Sequence, residues 1–108
     1  KMNSKNSSEK VINLLTVCRR AGRLVMGFDS VKDKMMNGEV FLILTASDIS
    51  PKTKKEVLFN AAQNGVPVIE IETDMDGLWK AIGRRTGIIG INDEGFSNQF
   101  GKILSLNL

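Results

Sequence analysis

Between Arg19 and Lys34 the chain reads RRAGRLVMGFDSVKDK, with five basic side chains (Arg19, Arg20, Arg23, Lys32, Lys34) against two acidic ones, Asp29 and Asp33. Gly22 reads as the residue that ends a helix, and Gly27 as the turn that opens the next. A helix that opens at a glycine points its first backbone N–H groups, and the positive end of its dipole, at whatever lies outside. Basic flanks, two glycines and a helix N-terminus are the parts of an anion site. The same parts also make an ordinary solvated helix–loop–helix with surface charge. A second basic group stands at Arg84-Arg85-Thr86-Gly87.

Other chemistry is excluded more firmly. The chain has no histidine and one cysteine, so it holds no Ser-His or Cys-His pair and no zinc cluster. Cys18 shares an apolar helix face with Val11, Leu14 and Leu15, which makes it a core thiol rather than a nucleophile. Gly22 and Gly27 have the spacing of a P-loop, but Phe28 and Asp29 stand where lysine and Ser/Thr are needed. Glu70 and Glu72 fall on one face of a strand and read as its solvated side. No catalytic residue, metal site or cofactor is expected.

With 108 residues, 42% hydrophobic and 25% charged, the chain is expected to form one domain with a real core. The net charge of +3 is a mild basic bias. It understates the basic surface, because Glu70, Glu72, Asp74 and Asp76 gather four negative charges in seven residues. A single cysteine rules out an internal disulfide and points to a reducing compartment. No apolar run is long enough for a membrane span and no N-terminal signal is visible, so cytoplasm is the expectation. Residues 1–8 are polar and read as a frayed tail, with the Lys ahead of Met2 a tag remnant. Residues 9–108 read as the domain.

The elements that must position the basic groups follow in order. Ser8 is the expected cap of a helix that ends near Gly22. Leu24–Met26 is a short strand. Phe28, Val31 and Met35 recur at helical spacing, which predicts a helix over Phe28–Asn37 stopped by Gly38, with Phe28 either a core anchor or a ligand contact. Phe41–Ala46 is an apolar run that reads as a strand covered on both faces. Ser50-Pro51 opens a helix that carries Val57, Leu58, Ala61 and Ala62 inward and ends at Gly65. Its lysines at 52, 54 and 55 oppose the helix dipole, which hints at an anionic neighbour. Val66–Glu72 reads as a strand that alternates toward its end, with Pro67 acceptable at a strand start or edge. Thr73 with Asp76 resembles a capping box for a helix with Met75, Leu78 and Ile82 inside and Trp79 over the core edge. Ile88–Ile91 is a last buried strand, followed by a helix with Phe96, Phe100, Ile103 and Leu104 inward. Alternating helices and strands predict an α/β fold, a sheet with helices on both faces.

The segments RAGRLVMG, ASD before Pro51, and AIG before the basic loop, together with GVPVIEI and DEGF, resemble the ribosomal L7Ae/L30e family, most of all its small bacterial YlxQ-like branch. The similarity runs from about Val11 to the C-terminus. It implies a three-layer αβα sandwich with a mixed four-stranded sheet, L30e-like. It also implies a non-catalytic partner role with structured RNA: kink-turns with sheared G·A pairs, or ribosomal RNA, on the ribosome and beside ribosomal proteins. In the family a Gly-Asn-Glu-like turn opens the second helix, and its Asn, Glu and a following Lys read the guanines. Here Gly27 matches and Phe28-Asp29-Ser30 completes the turn. Asp29 lacks the amide donor, Ser30 lacks the carboxylate, and Asp33 takes the lysine's place between Lys32 and Lys34. The resemblance places Arg84, Arg85, Thr86 and Gly87 in a second contact loop, with Asp48 and Ile49 alongside. Arg20 and Arg23 join Gly27 in the expected site. The alternative is a protein-interaction or regulatory module on the same fold.

Overall fold

The computed structural model describes residues 4–104. Five helices and four strands alternate: α1 (Ser4–Arg20), β1 (Leu24–Met26), α2 (Phe28–Met36), β2 (Leu42–Thr45), α3 (Pro51–Asn64), β3 (Val68–Glu70), α4 (Met75–Ile82), β4 (Ile88–Ile91) and α5 (Glu94–Ile103). The strands form one sheet in the order β1-β4-β2-β3. β4 is antiparallel to both β1 and β2, whereas β3 runs parallel to β2. The mixed four-stranded sandwich is therefore present as expected.

Alternation along β2 and β4 divides the core in two. Leu42, Leu44, Ile89 and Ile91 face Val11, Leu15, Cys18, Leu78, Ile82 and Phe100, so α1, α4 and α5 cover one side. Ile43 and Ile88 face Val31, Met35, Val57 and Ala61, so α2 and α3 cover the other. All four β2 residues and all four β4 residues are buried, which is why those segments read as continuous apolar runs.

Several local expectations need correction. α1 begins at Ser4, so Ser8 lies inside it rather than capping it. Ser7 and Ser8 are half-buried and line a crevice with Glu70–Thr73 and Leu104, so tertiary contact carries the helix past a polar stretch. Residues 1–3 of the expected tail lie outside the described residues. The cap of α4 is Asp74, not Thr73: its carboxylate accepts from Gly77 N at 2.8 Å. On α3 only Val57 and Ala61 are buried, while Leu58 and Phe59 stand exposed and Ala62 faces out. Phe41 lies outside β2 and is also exposed. Trp79 does not cover the core edge; it is 56% exposed on α4.

Candidate nucleic-acid interface

Strand direction decides which loops meet. β1, β2 and β3 run the same way and β4 runs against them, so the β1–α2, β2–α3 and β3–α4 connections leave the sheet end at which β4 enters. Backbone bonds tie these segments together: Gly27 N donates to Ile88 O at 2.9 Å, Ala46 N to Gly87 O at 2.9 Å and Ser47 N to Thr73 O at 3.0 Å. Gly27, the Ser47–Ser50 loop and the Arg84–Gly87 loop thus share one end.

At that end α2 opens on Gly27 with φ 96° and ψ 148° and no side-chain cap. This backbone conformation is open essentially to glycine alone. The first helical bond is Val31 N to Gly27 O at 3.0 Å, so the amides of Phe28, Asp29 and Ser30 have no acceptor within the helix. A cation stands beside Gly27 itself. A Cβ at Gly27 would lie 3.0 Å from Arg84 Nη2. Among the described residues no carboxylate lies within ion-pair distance of Arg84. Asp29 and Ser30 are exposed in the first turn of α2, where the Asp29 carboxylate offsets part of the positive potential.

The other expected site residues divide by position. Arg20 and Arg23 do not join Gly27. Arg23 precedes β1 and its carbonyl accepts from Asn92 N at 3.1 Å, at the opposite end of the sheet. Four extended residue steps, roughly 13 Å, separate it from Gly27. Arg20 closes α1, upstream of that same end. Lys32 is half-buried, and Lys34 lies in the last turn of α2, 3.7 Å from Glu39. The stretch from Arg19 to Lys34 is therefore not one patch, because β1 and α2 carry its charges apart.

Many of the remaining groups hold the platform itself. Asp48 Oδ1 accepts from Met75 N at 3.0 Å and so helps to start α4. Ile49 packs against both core clusters. Thr86 is buried, and its hydroxyl donates to Ile88 O and accepts from Ile88 N. Gly87 is buried where any Cβ would overlap Ile49 Cγ2. Phe28 is half-buried and packs on the cluster of Val31 and Ile43. Arg85 is exposed but its Nε donates to Asp76 Oδ1 at 3.0 Å. The lysine excess of α3 is likewise reduced, since Lys54 Nζ donates to Glu70 Oε1 at 2.8 Å. Cys18 is fully buried, and loss of hydration pushes its thiol pKa up to about 12; Asp93 adds to the shift and Arg23 opposes it.

One basic residue gained a place that sequence reasoning did not give it. Arg19, in the last turn of α1, puts its guanidinium beside Gly83, where α4 ends; a Cβ there would lie 3.5 Å from Nη2. A cation at a helix C-terminus complements the dipole. The outward position of Arg19, next to inward Cys18, was the signal available.

Fold and site together define a small αβα domain that offers backbone amides and a guanidinium from one end of its sheet. The chain belongs to the ribosomal protein L7Ae/L30e/S12e/Gadd45 family, whose model matches residues 9–101. It is similar to proteins named RNA-binding protein YlxQ from two bacteria. The one from Enterococcus faecium is 28% identical over 96 residues, 89% of this chain and 92% of that protein. The one from Bacillus subtilis (strain 168) is 31% identical over 94 residues, 86% of this chain and 90% of that protein. A solved protein of unknown function from Bacillus halodurans C superimposes with a TM-score of 0.82 at 30% identity, covering 87% of this chain and 95% of its own. A 15.5kD RNA binding protein of Giardia lamblia shares the fold with a TM-score of 0.76 at 18% identity, covering 93% of this chain and 86% of its own. Among the described residues no helix is long and apolar enough to cross a membrane.

Proposed function

We propose that this chain binds structured RNA without catalysis, with a kink-turn-like or ribosomal RNA as target and the ribosome as its setting. The observation that carries the reading is the opening of α2: uncapped amides at Phe28–Ser30 with the Arg84 guanidinium against Gly27. Amides and a guanidinium recognise phosphate oxygens, which position an RNA without reading its bases. Family membership and the names carried by the two bacterial relatives support RNA as the ligand. Base reading falls to Asp29 and Ser30, exposed in the first turn. An aspartate there repels phosphate and guanine O6, and a serine hydroxyl reaches less far than a carboxylate. Shape and phosphate contacts therefore dominate recognition, as they do for many RNA helices.

A second reading has its own observation. Leu58 and Phe59 lie 45% and 64% exposed on α3, beside Lys52 and Lys55, and fit a protein-interaction module on the same fold. Crosslinking the endogenous protein in cells and sequencing the attached RNA separates the two. The RNA reading expects a recurring structured target whose recovery falls in Arg84→Ala. Recovery of protein partners with no RNA above background favours the interaction module and overturns the first reading.

A further inference from the structure

We infer that Trp79 is a stacking platform for an unpaired nucleotide, in a single-stranded segment that flanks the structured RNA. This deepens the RNA reading and rests on it. An indole left 56% exposed on a small domain forgoes the burial that a large aromatic ring usually gains. Its surroundings say what could cover it. Asp76, Trp79 and Gly83 lie at i−3, i and i+4 on one stripe of the α4 surface, a stripe roughly 10 Å long. A guanidinium stands at each end: Arg85 is held on Asp76 at 3.0 Å, and Arg19 is held beside Gly83. Lys80 follows Trp79 and is itself exposed. Asp76 already balances part of the Arg85 charge, so an aromatic face between the two arginines suits a base on the ring with its phosphate toward Arg19. Groove-type binding of single strands uses the same combination.

The stripe also joins the site already described. Gly83 carries Arg19 on one side, and the next residue, Arg84, turns to Gly27 on the other. A strand leaving an RNA helix seated at Gly27 would meet α4 within one loop's width. An acidic protein partner would also find the arginines, but a base is the occupant that uses the indole together with a flanking guanidinium.

Trp79 is the only tryptophan and the chain has no tyrosine, so its emission reports directly on this surface. The probes are a kink-turn duplex with blunt ends and the same duplex carrying six unpaired adenylates on one end or the other. One tailed duplex is expected to bind roughly tenfold tighter than the blunt one, the size of one base stack, and to quench Trp79 emission at saturation. Trp79→Ala should lose that tenfold gain, and Trp79→Phe should keep part of it. Circular dichroism and the affinity for the blunt duplex should stay unchanged in both variants. Equal affinities for blunt and tailed duplexes, with no quenching in either tailed form, would overturn the platform and leave the Gly27 site standing if Arg84→Ala still weakens the blunt duplex. Absence of binding to all three RNAs overturns the platform and the kink-turn reading of the Gly27 site together.

Discussion

Arg84 and Arg85 are neighbours in sequence but not in role, and the difference is measurable. Arg84 stands against Gly27 with no carboxylate partner among the described residues, whereas Arg85 is bound to Asp76 at 3.0 Å. Each phosphate neutralised contributes roughly 0.7–0.9 to the slope of log affinity against log salt. With about four phosphates engaged, the slope is of order −3 to −4. Between 50 and 200 mM salt, a slope of that size means a loss of roughly a hundredfold in affinity. Arg84→Ala should flatten the slope by about 0.7–0.9, which shrinks that loss roughly threefold. Arg85→Ala should change it less, because Asp76 already balances part of its charge. Asp76→Ala should steepen it by freeing Arg85. The Arg85–Asp76 pair is exposed on both sides and such pairs contribute about 0–1 kcal/mol, so none of the three variants should unfold the domain. The assay is fluorescence anisotropy of a labelled RNA at four salt concentrations. A slope unchanged by Arg84→Ala, or flattened more by Arg85→Ala, would refute the assignment of the free cation.

Further outcomes follow from neighbouring residues. Asp29→Asn with Ser30→Glu restores an amide donor and an acceptor at the exposed first turn of α2. It should tighten binding to a kink-turn by about tenfold or more, one bidentate base contact being worth about 1–3 kcal/mol; titrations against an RNA whose sheared G·A pairs are made Watson–Crick should show no gain. Gly87→Ala forces a Cβ onto Ile49 Cγ2 and should cost about 1–3 kcal/mol, read as a fall of several degrees in Tm. Asp48→Ala removes the acceptor for Met75 N and should cost about 0.5–2 kcal/mol in denaturant unfolding, with RNA affinity of the folded fraction unchanged. The Cys18 thiol has its pKa raised from 9.0 to about 12, so the folded state holds that proton longer than the unfolded chain. Its contribution to stability is complete below pH 9 and is lost as pH rises toward 12. Wild-type unfolding free energy should therefore fall relative to Cys18→Ala above pH 9, and thiol reagents at neutral pH should modify Cys18 only as fast as the protein opens.

What could be read from the sequence depended on the range of the interaction. Short-range signals were legible: Ser50-Pro51 does open α3, with Ser50 Oγ accepting from Thr53 N, and Gly65 does close it. The continuous apolar runs at Leu42–Thr45 and Ile88–Ile91 gave the two central strands. Side-chain partners across the fold were not legible. Nothing local distinguishes Arg84 from Arg85, since the Asp76 that binds one of them lies on the preceding helix. Charge density along Arg19–Lys34 suggested one patch because sequence distance hides the length of β1, which carries Arg23 and Gly27 to opposite ends of the sheet. Helical periodicity placed Leu58 inward because Val57 and Leu58 are adjacent apolar residues, and only the contact with α2 and the sheet selects Val57. Trp79 was expected over the core edge, and the structure leaves it 56% exposed on α4.

The most direct test of RNA recognition at the Gly27 end is an amide chemical-shift titration of the folded protein with a kink-turn RNA at low salt. Binding there should shift Gly27 to Ser30 and Gly83 to Gly87 first, with the α5 amides from Glu94 to Ile103 nearly unmoved. Shifts confined to α3 or α5, or none at saturating RNA, would contradict it.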